Sequence, residues 1–322
     1  MYEIYPEQKY LDYSLFWAEQ NNWAPGSRPR HADDQCCGQT YIDLYKIDPD
    51  TSRISQIKQY IDDMVNSTKI DDWNWIDALY MAMPVFTRLG DMFNDTAYFN
   101  KMYDLYNDTK TRRALYDVND GLWFRDENYS APEDTTPNGE KIFWSRGNGW
   151  VFGAHVRTLQ LLPESDPHYA EYLETFKTMA EALRKAQRGD GFWGVSLADS
   201  NHYPGPETSG TGFFTYGLAW GINNGHLDST DYYSTVAKAW HGLISTAVHP
   251  DGFLGYVQGV GSHPGSSQPV TYNTTTDFGV GAFLLAGSEV FRLAAGDIPV
   301  PEPEPENLAF NNLIAFSSQQ AD

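Results

Sequence analysis

A short phrase, Asp-Gly followed by two large apolar residues, occurs three times in this chain: Asp120-Gly-Leu-Trp123, Asp190-Gly-Phe-Trp193 and Asp251-Gly-Phe-Leu254. The copies stand about 60 to 70 residues apart, and each comes after a stretch of helical periodicity. Glycine supplies the positive φ with which such helices end. Self-similar helix pairs at this spacing stack or close into a ring, because one hairpin cannot bury its own apolar face. The repeat therefore predicts an all-α chain folded as an α/α barrel, with inner helices around an axis and the loops at one end forming a bowl.

Apolar periodicity places ten helices, over residues 8–20, 31–45, 52–67, 71–90, 95–116, 149–162, 168–187, 209–223, 232–248 and 276–293. No strand alternation of any length competes with them. The stretches 209–223 and 276–293 are rich in Gly and Ala, as inner helices that approach closely need to be.

The charge is 22 Lys and Arg against 43 Asp and Glu, a net −21. This repels phosphate backbones with no basic stripe to offset it, which argues against nucleic acid as a partner. An acidic ligand is also repelled at long range and needs a local Arg or Lys in its pocket. Aromatic residues make up 15%, with ten Trp and 21 Tyr. That excess over core packing points to rings lining a cleft, where they stack on flat apolar faces such as those of sugars. Cys36 and Cys37 are adjacent, which disfavours a structural disulfide and supplies no zinc pattern. No metal and no cofactor is expected. No run of roughly 18 or more residues is apolar throughout, so no membrane span is expected. The opening residues lack the order of a leader peptide. The expectation is a secreted or periplasmic protein whose leader precedes this chain, with the cytoplasm as the other option.

The stretch Asp71-Asp-Trp-Asn-Trp-Ile-Asp-Ala-Leu-Tyr-Met-Ala-Met-Pro84 puts Asp77 inside an otherwise aromatic and apolar helix, with Trp73, Asn74, Tyr80 and Met81 one turn away. A carboxyl desolvated there has a raised pKa and holds a proton near neutrality, as a general acid must. The alternative is an Asp hydrogen-bonded to a neighbouring helix. Trp73 is a candidate ligand-facing ring. His31-Ala-Asp-Asp-Gln-Cys-Cys-Gly-Gln-Thr-Tyr41 brings two acids to a helix start. Asp33 suits the N-cap or first turn, leaving Asp34 free to face the bowl and pair with Asp77 as the two carboxylates of glycosidic chemistry. Phe143-Trp-Ser-Arg-Gly-Asn-Gly-Trp150 gathers Trp144, Arg146, Asn148 and Trp150 in eight residues. It offers stacking faces, a backbone made approachable by glycine, and a guanidinium able to grip a carboxylate. His202-Tyr-Pro-Gly-Pro-Glu-Thr-Ser-Gly210 adds His202 as a polar contact, with Glu207 and Ser209 at a helix start. For Glu207 a structural role, bonding backbone amides, is the alternative.

Five phrases in order, Asp33-Asp-Gln-Cys-Cys-Gly-Gln-Thr-Tyr41, Ile76-Asp-Ala-Leu-Tyr-Met-Ala-Met-Pro84, Gly121-Leu-Trp-Phe-Arg-Asp126, Phe143-Trp-Ser-Arg-Gly-Asn-Gly-Trp150 and Glu207-Thr-Ser-Gly-Thr211, resemble glycoside hydrolase family 105 and its relative family 88. These are the unsaturated glucuronyl and rhamnogalacturonyl hydrolases. The resemblance runs from about residue 8 to 295. It implies an (α/α)6 barrel; ten helices in place of twelve then mean that the first is missing or that some are merged. It implies that Asp77 is the general acid/base, that Asp33 or Asp34 is the second acid, and that Trp144, Arg146 and Trp150 contact substrate. Many members carry His before the Trp-Asp of the turn after Gly-Leu, whereas this chain reads Trp123-Phe-Arg-Asp126. The departure implies that Arg125, beside Asp126, takes over that contact toward an anionic group, and it argues against a rhamnogalacturonan substrate.

The substrate so implied is the 4,5-unsaturated uronic acid that polysaccharide lyases leave at the non-reducing end of an oligosaccharide. Protonation at C4 makes an oxocarbenium-like centre at C5, water adds there, and the hemiketal collapses and expels the rest of the chain, with no metal or nucleotide. An ulvan-type sulfated glycan is the first expectation for its source, rhamnogalacturonan the second. Two alternatives stand beside this: a conventional inverting glycosidase acting on saturated acidic glycans, and a non-catalytic sugar-binding domain. The expected organisation is one catalytic domain over 1–297, then Ile298-Pro-Val-Pro-Glu-Pro-Glu-Pro-Glu306 as an acidic, semi-rigid linker. Residues 307–322 read as the start of a truncated discoidin-like carbohydrate-binding module.

Overall fold

The structure, a computed structural model, describes residue 2 and residues 4–295. Among these the main elements are eleven α-helices and one short hairpin, with two short 3-10 and two short π-helical turns between them. In chain order they are α1 (Gln8–Gln20), α2 (Ala32–Gln35), α3 (Gly38–Ile47), α4 (Ser55–Val65), α5 (Asp77–Phe93), α6 (Thr96–Asn107), β1 (Tyr116–Asp117), β2 (Leu122–Trp123), α7 (Ser145–Leu159), α8 (Tyr169–Ala186), α9 (Thr208–Asn223), α10 (Ser229–Gly242) and α11 (Asp277–Ala295). The strands of the hairpin pair antiparallel, Tyr116 opposite Trp123. The fold is all-α apart from this hairpin.

The glycines of the repeated phrase have φ of +67° at Gly121, +89° at Gly191 and +89° at Gly252. At Gly191 a side chain is excluded twice over, since a Cβ would also lie 2.2 Å from the carbonyl oxygen of Lys238. Several expected helices begin, end or divide differently. The stretch 31–45 breaks into α2 and α3 at Cys36 and Cys37, both of which are free thiols. The stretch 71–90 becomes helical only at Asp77, because residues 71–76 are tied to other elements. Arg30 Nε donates to Asp72 Oδ1 at 3.0 Å, Thr109 Oγ1 to the Trp73 carbonyl at 2.6 Å, and the Ile76 amide to the Arg125 carbonyl at 2.9 Å.

By their internal contacts the residues divide into two compact units. The first runs up to Asn128 and includes Gly153–Phe176; the second is Tyr129–Phe152 with the residues from Lys177 on. The linker expected over 298–306 and the module over 307–322 lie outside the described residues.

In the first unit α5 is the central helix, buried from Ala78 to Gly90 on nearly every face and packed by α2, α3 and α6. Its buried Arg88 is neutralised by Asp43 through two parallel hydrogen bonds of 2.8 and 3.0 Å. In the second unit α9 holds the corresponding place, buried from Thr208 to Gly221 between α10 and α11. Gly212 backs directly onto α11, where a Cβ would meet the Ala282 carbonyl carbon at 3.0 Å. The small residues thus serve the close approach expected of them. Among the described residues α11 is the one helix long and apolar enough to cross a membrane by length and composition. Its Gly279, Ala282 and Ala286 are buried, and so is Glu289, which is bonded to Arg292 and Asn223 at 2.5 and 2.9 Å.

Candidate active site

The hairpin delivers the site. Phe124 donates its amide to the Leu115 carbonyl at 2.9 Å, and the Arg125 carbonyl accepts from Ile76, so the chain leaving β2 lies across the start of α5. Arg125 Nε then reaches Asp77 Oδ2 at 3.0 Å, while Nη1 of the same guanidinium donates to Asp126 Oδ2 at 2.5 Å. One cation bridges two buried acids, Asp77 being 8% and Asp126 7% exposed. The other oxygen of Asp126 accepts from the amide and the side chain of Asn128, at 2.8 and 2.9 Å. Burial alone would depress the Arg125 pKa; the Asp77 and Asp126 carboxylates more than reverse this and raise it.

Asp77 is therefore buried, as expected, but its setting differs from the apolar isolation that the sequence predicts. It occupies the first turn of α5, where aligned peptide dipoles favour an anionic side chain, and it has a guanidinium beside it. Arg125 and Asp126 line a cleft of about 370 Å³, together with His31, Asp33, Asn74, Trp75, Glu127 and Asn128. The rings of His31 and Trp75 lie 4.9 Å apart between centroids and are tilted by 36°.

Of the two bridged acids Asp126 lines the cleft and Asp77 lies behind Arg125. The sequence matches the model of Glycosyl Hydrolase Family 88 over residues 1–294. The chain belongs to glycosyl hydrolase family 88. The five motifs resemble families 105 and 88 together, and the family model that matches is that of family 88. A curated relative, the unsaturated 3S-rhamnoglycuronyl hydrolase of Formosa agariphila, is 37% identical over 302 residues, covering 88% of this chain and 78% of its own. The solved structure of a family 88 glycosyl hydrolase from Bacteroides vulgatus is similar at a TM-score of 0.87 and 40% identity, covering 91% of this chain and 88% of that one. Another solved structure, described as a polysaccharide lyase, matches at a TM-score of 0.86 and 39% identity, over 94% of this chain and 88% of its own. This family 88 chain is a glycosidase, and its all-α fold is the α/α toroid of helical hairpins that the repeat predicts.

The other residues singled out in the family 88 chain take varied places. Asp34 does not face a bowl. Its carboxylate accepts from the Arg28 amide at 2.8 Å and from Arg28 Nη2 at 2.5 Å, and it is pressed against Gly26, whose Cβ would lie 2.3 Å from Asp34 Cγ. Its neighbour Asp33 is the one that lines the cleft, its side chain 52% exposed. The N-cap of α2 is His31, whose side chain makes no capping bond, so neither acid caps. Trp73 is fully buried with its ring edge-on to Phe86 and has no face to offer a ligand; Trp75 has one.

In the second unit, α7 (Ser145–Leu159) begins four residues earlier than expected, which places Arg146 and Asn148 in its first turn. Arg146 is 2% exposed and already committed: it donates to the carbonyls of Gln258 and Gly259 at 2.6 and 2.7 Å, and its guanidinium lies over the rings of Trp144 and Phe278. Trp144 is 1% exposed and donates to Gln258 Oε1 at 2.8 Å, Asn148 is buried on the Trp144 carbonyl, and Trp150 packs against Phe213. Glu207 is fully buried at the start of α9. It caps α9 by accepting from the amides of Ser209 and Gly210 at 3.0 and 2.7 Å, and it also accepts from the Ser209 hydroxyl at 2.7 Å. That commits Ser209 as well. His202 is half-buried beside Tyr203. Sequence reasoning missed His31, Asn74, Trp75, Glu127 and Asn128, and it took Asp126 for a substrate contact only. The available signal was that Asp favours a helix's first turn over its interior, which marks Asp77 as a helix start and residues 71–76 as a loop free to line a cleft.

Proposed function

We propose that this chain removes a 4,5-unsaturated uronic acid from the non-reducing end of lyase-generated oligosaccharides by hydrating the C4–C5 double bond, with Asp77 and Asp126 as the working carboxylates. The observation that carries the choice of acids is the triad: two buried carboxylates share one guanidinium, and that guanidinium and Asp126 line the cleft. Hydration of a vinyl ether needs a donor for the proton that C4 receives and an acceptor for the proton that the attacking water loses. A pair of carboxyl groups supplies both. Protonation at C4 leaves positive charge shared between C5 and the ring oxygen. Water adds at C5, and the hemiketal opens to a C5 ketone. The hemiacetal so formed at C1 then expels the rest of the oligosaccharide as an alcohol. Trp75 and His31 supply flat faces for the sugar.

For the source glycan we infer a sulfated, ulvan-type polymer, supported by the name of the Formosa agariphila relative. Action outside the cytoplasm, where lyases release such fragments, is the matching proposal for location. The test monitors the ultraviolet absorbance of the conjugated double bond in ulvan-lyase products. Wild type is expected to abolish it, and Asp77→Asn and Asp126→Asn are each expected to slow the loss at least about 10²-fold, the usual worth of a general acid or base. Unchanged absorbance alongside activity on saturated glycans would sink the proposal in favour of an inverting glycosidase. A rise in absorbance on intact polymer would mark a lyase.

A further inference from the structure

We infer that Arg125 is the receptor for the substrate's carboxylate, and that seating that carboxylate is what leaves one of the two acids protonated for the reaction. The inference rests on the functional reading above and deepens it. Arg125 has five N–H groups and spends one on Asp77 and one on Asp126; Nη2 has no partner among the described residues. Its side chain is 24% exposed in the cleft, so this unspent edge is open to a ligand. An incoming uronate can therefore form charge-assisted bonds without first displacing either acid.

Charge balance then sets the protonation state of the loaded site. The triad already holds two acids against one cation, and the other charged or titratable groups lining the cleft are His31, Asp33 and Glu127. Of these Glu127 is paired with Arg113 at 3.2 Å, and Asp33 lies 3.8 Å from His31. A third carboxylate on the same guanidinium makes it costly to keep both Asp77 and Asp126 ionised, because like charges at this range disfavour one another. One acid takes up a proton from solvent as the substrate binds, and that proton is the one delivered to C4. A substrate whose carboxylate is masked brings no such pressure.

The test compares an unsaturated uronosyl disaccharide with its uronate methyl ester, both monitored by loss of absorbance, in wild type, Arg125→Gln and Arg125→Lys. Esterification alters the intrinsic reactivity of the double bond, so the quantity read is the change in the acid-to-ester ratio of kcat/KM between proteins. Wild type is expected to prefer the acid, with the preference lying in kcat as well as KM. Arg125→Gln is expected to cut that ratio at least tenfold, mainly by losing activity on the acid, and Arg125→Lys to fall between the two. A ratio unchanged within twofold in both variants, with the wild type active, overturns the role of Arg125 and leaves the hydration reading standing. Wild type inactive on both substrates overturns the hydration reading and this inference with it. Should Arg125→Gln fail to fold, as judged by its thermal transition, the ratio for Arg125→Lys decides alone.

Discussion

Asp33 and Asp34 are chemically identical neighbours in the first turn of α2, and their partners separate them. Asp34 is held by the Arg28 amide and guanidinium, a hydrogen bond that keeps its carboxyl below the usual range. A group with a depressed folded-state pKa contributes stability that is fully present above its unfolded pKa of about 4 and is lost as pH falls through the folded value. Asp34→Asn is thus expected to destabilise the chain by about 1 kcal/mol at neutral pH, low for a charged hydrogen bond because Arg28 is largely exposed. Thermal unfolding should show a gap from wild type that is constant between pH 8 and pH 5 and narrows below about pH 4. Turnover should survive in Asp34→Asn; a loss as deep as that of Asp126→Asn would restore Asp34 as the partner acid. No sequence pattern separates the two acids, because the difference lies in Gly26 and Arg28, which reach Asp34 through a loop. The same holds for Trp73 and Trp75, two residues apart, one in the core and one in the cleft.

Helix α5 shows what an element's own sequence does and does not determine. Its apolar residues lie on all sides of the helix, as its burial on nearly every face requires. Its start is harder to read, because residues 71–76 are helix-compatible in composition and are held out of the helix by Arg30, Thr109 and the Arg125 carbonyl, none of them local. The pairing of Asp77 with Asp126 is hidden for the same reason, since it depends on the chain after β2 crossing the helix start. Close packing, by contrast, is legible in the glycines, and it predicts opposite signs for one substitution at two sites. At Gly90 an added methyl would lie 2.4 Å from Phe99 Cε1. Overpacking costs about 1–3 kcal/mol and outweighs the gain of up to about 1 kcal/mol in helix propensity, so Gly90→Ala should lower the unfolding midpoint. At Gly281 in α11 a Cβ meets nothing within 4 Å, so there the propensity term stands alone and Gly281→Ala should raise the midpoint. Denaturant titration of the two variants checks both signs, and equal shifts in the same direction would refute the packing argument.

At the scale of the whole molecule the governing quantity is the net charge of −21 set against an anionic substrate. The far field repels every uronate, and it repels a sulfated oligosaccharide more strongly than an unsulfated one, whereas attraction comes from short-range contact with Arg125. These two terms respond differently to salt. Repulsion between exposed charges is screened over about 10 Å at 0.1 M, while a partly buried ion pair is screened much less. Added salt should therefore remove more of the penalty than of the attraction. We expect kcat/KM to rise a few-fold between about 10 mM and 150 mM salt at fixed pH, and to rise more for a sulfated substrate than for its desulfated counterpart. The rise belongs in kcat/KM, with kcat at saturation nearly flat, because the far field acts on the approach and binding of substrate. Steady-state kinetics over a salt series with the two substrates reads this directly. A fall in kcat/KM with salt for both would mean that a cationic surface guides the substrate, contrary to the charge of this chain.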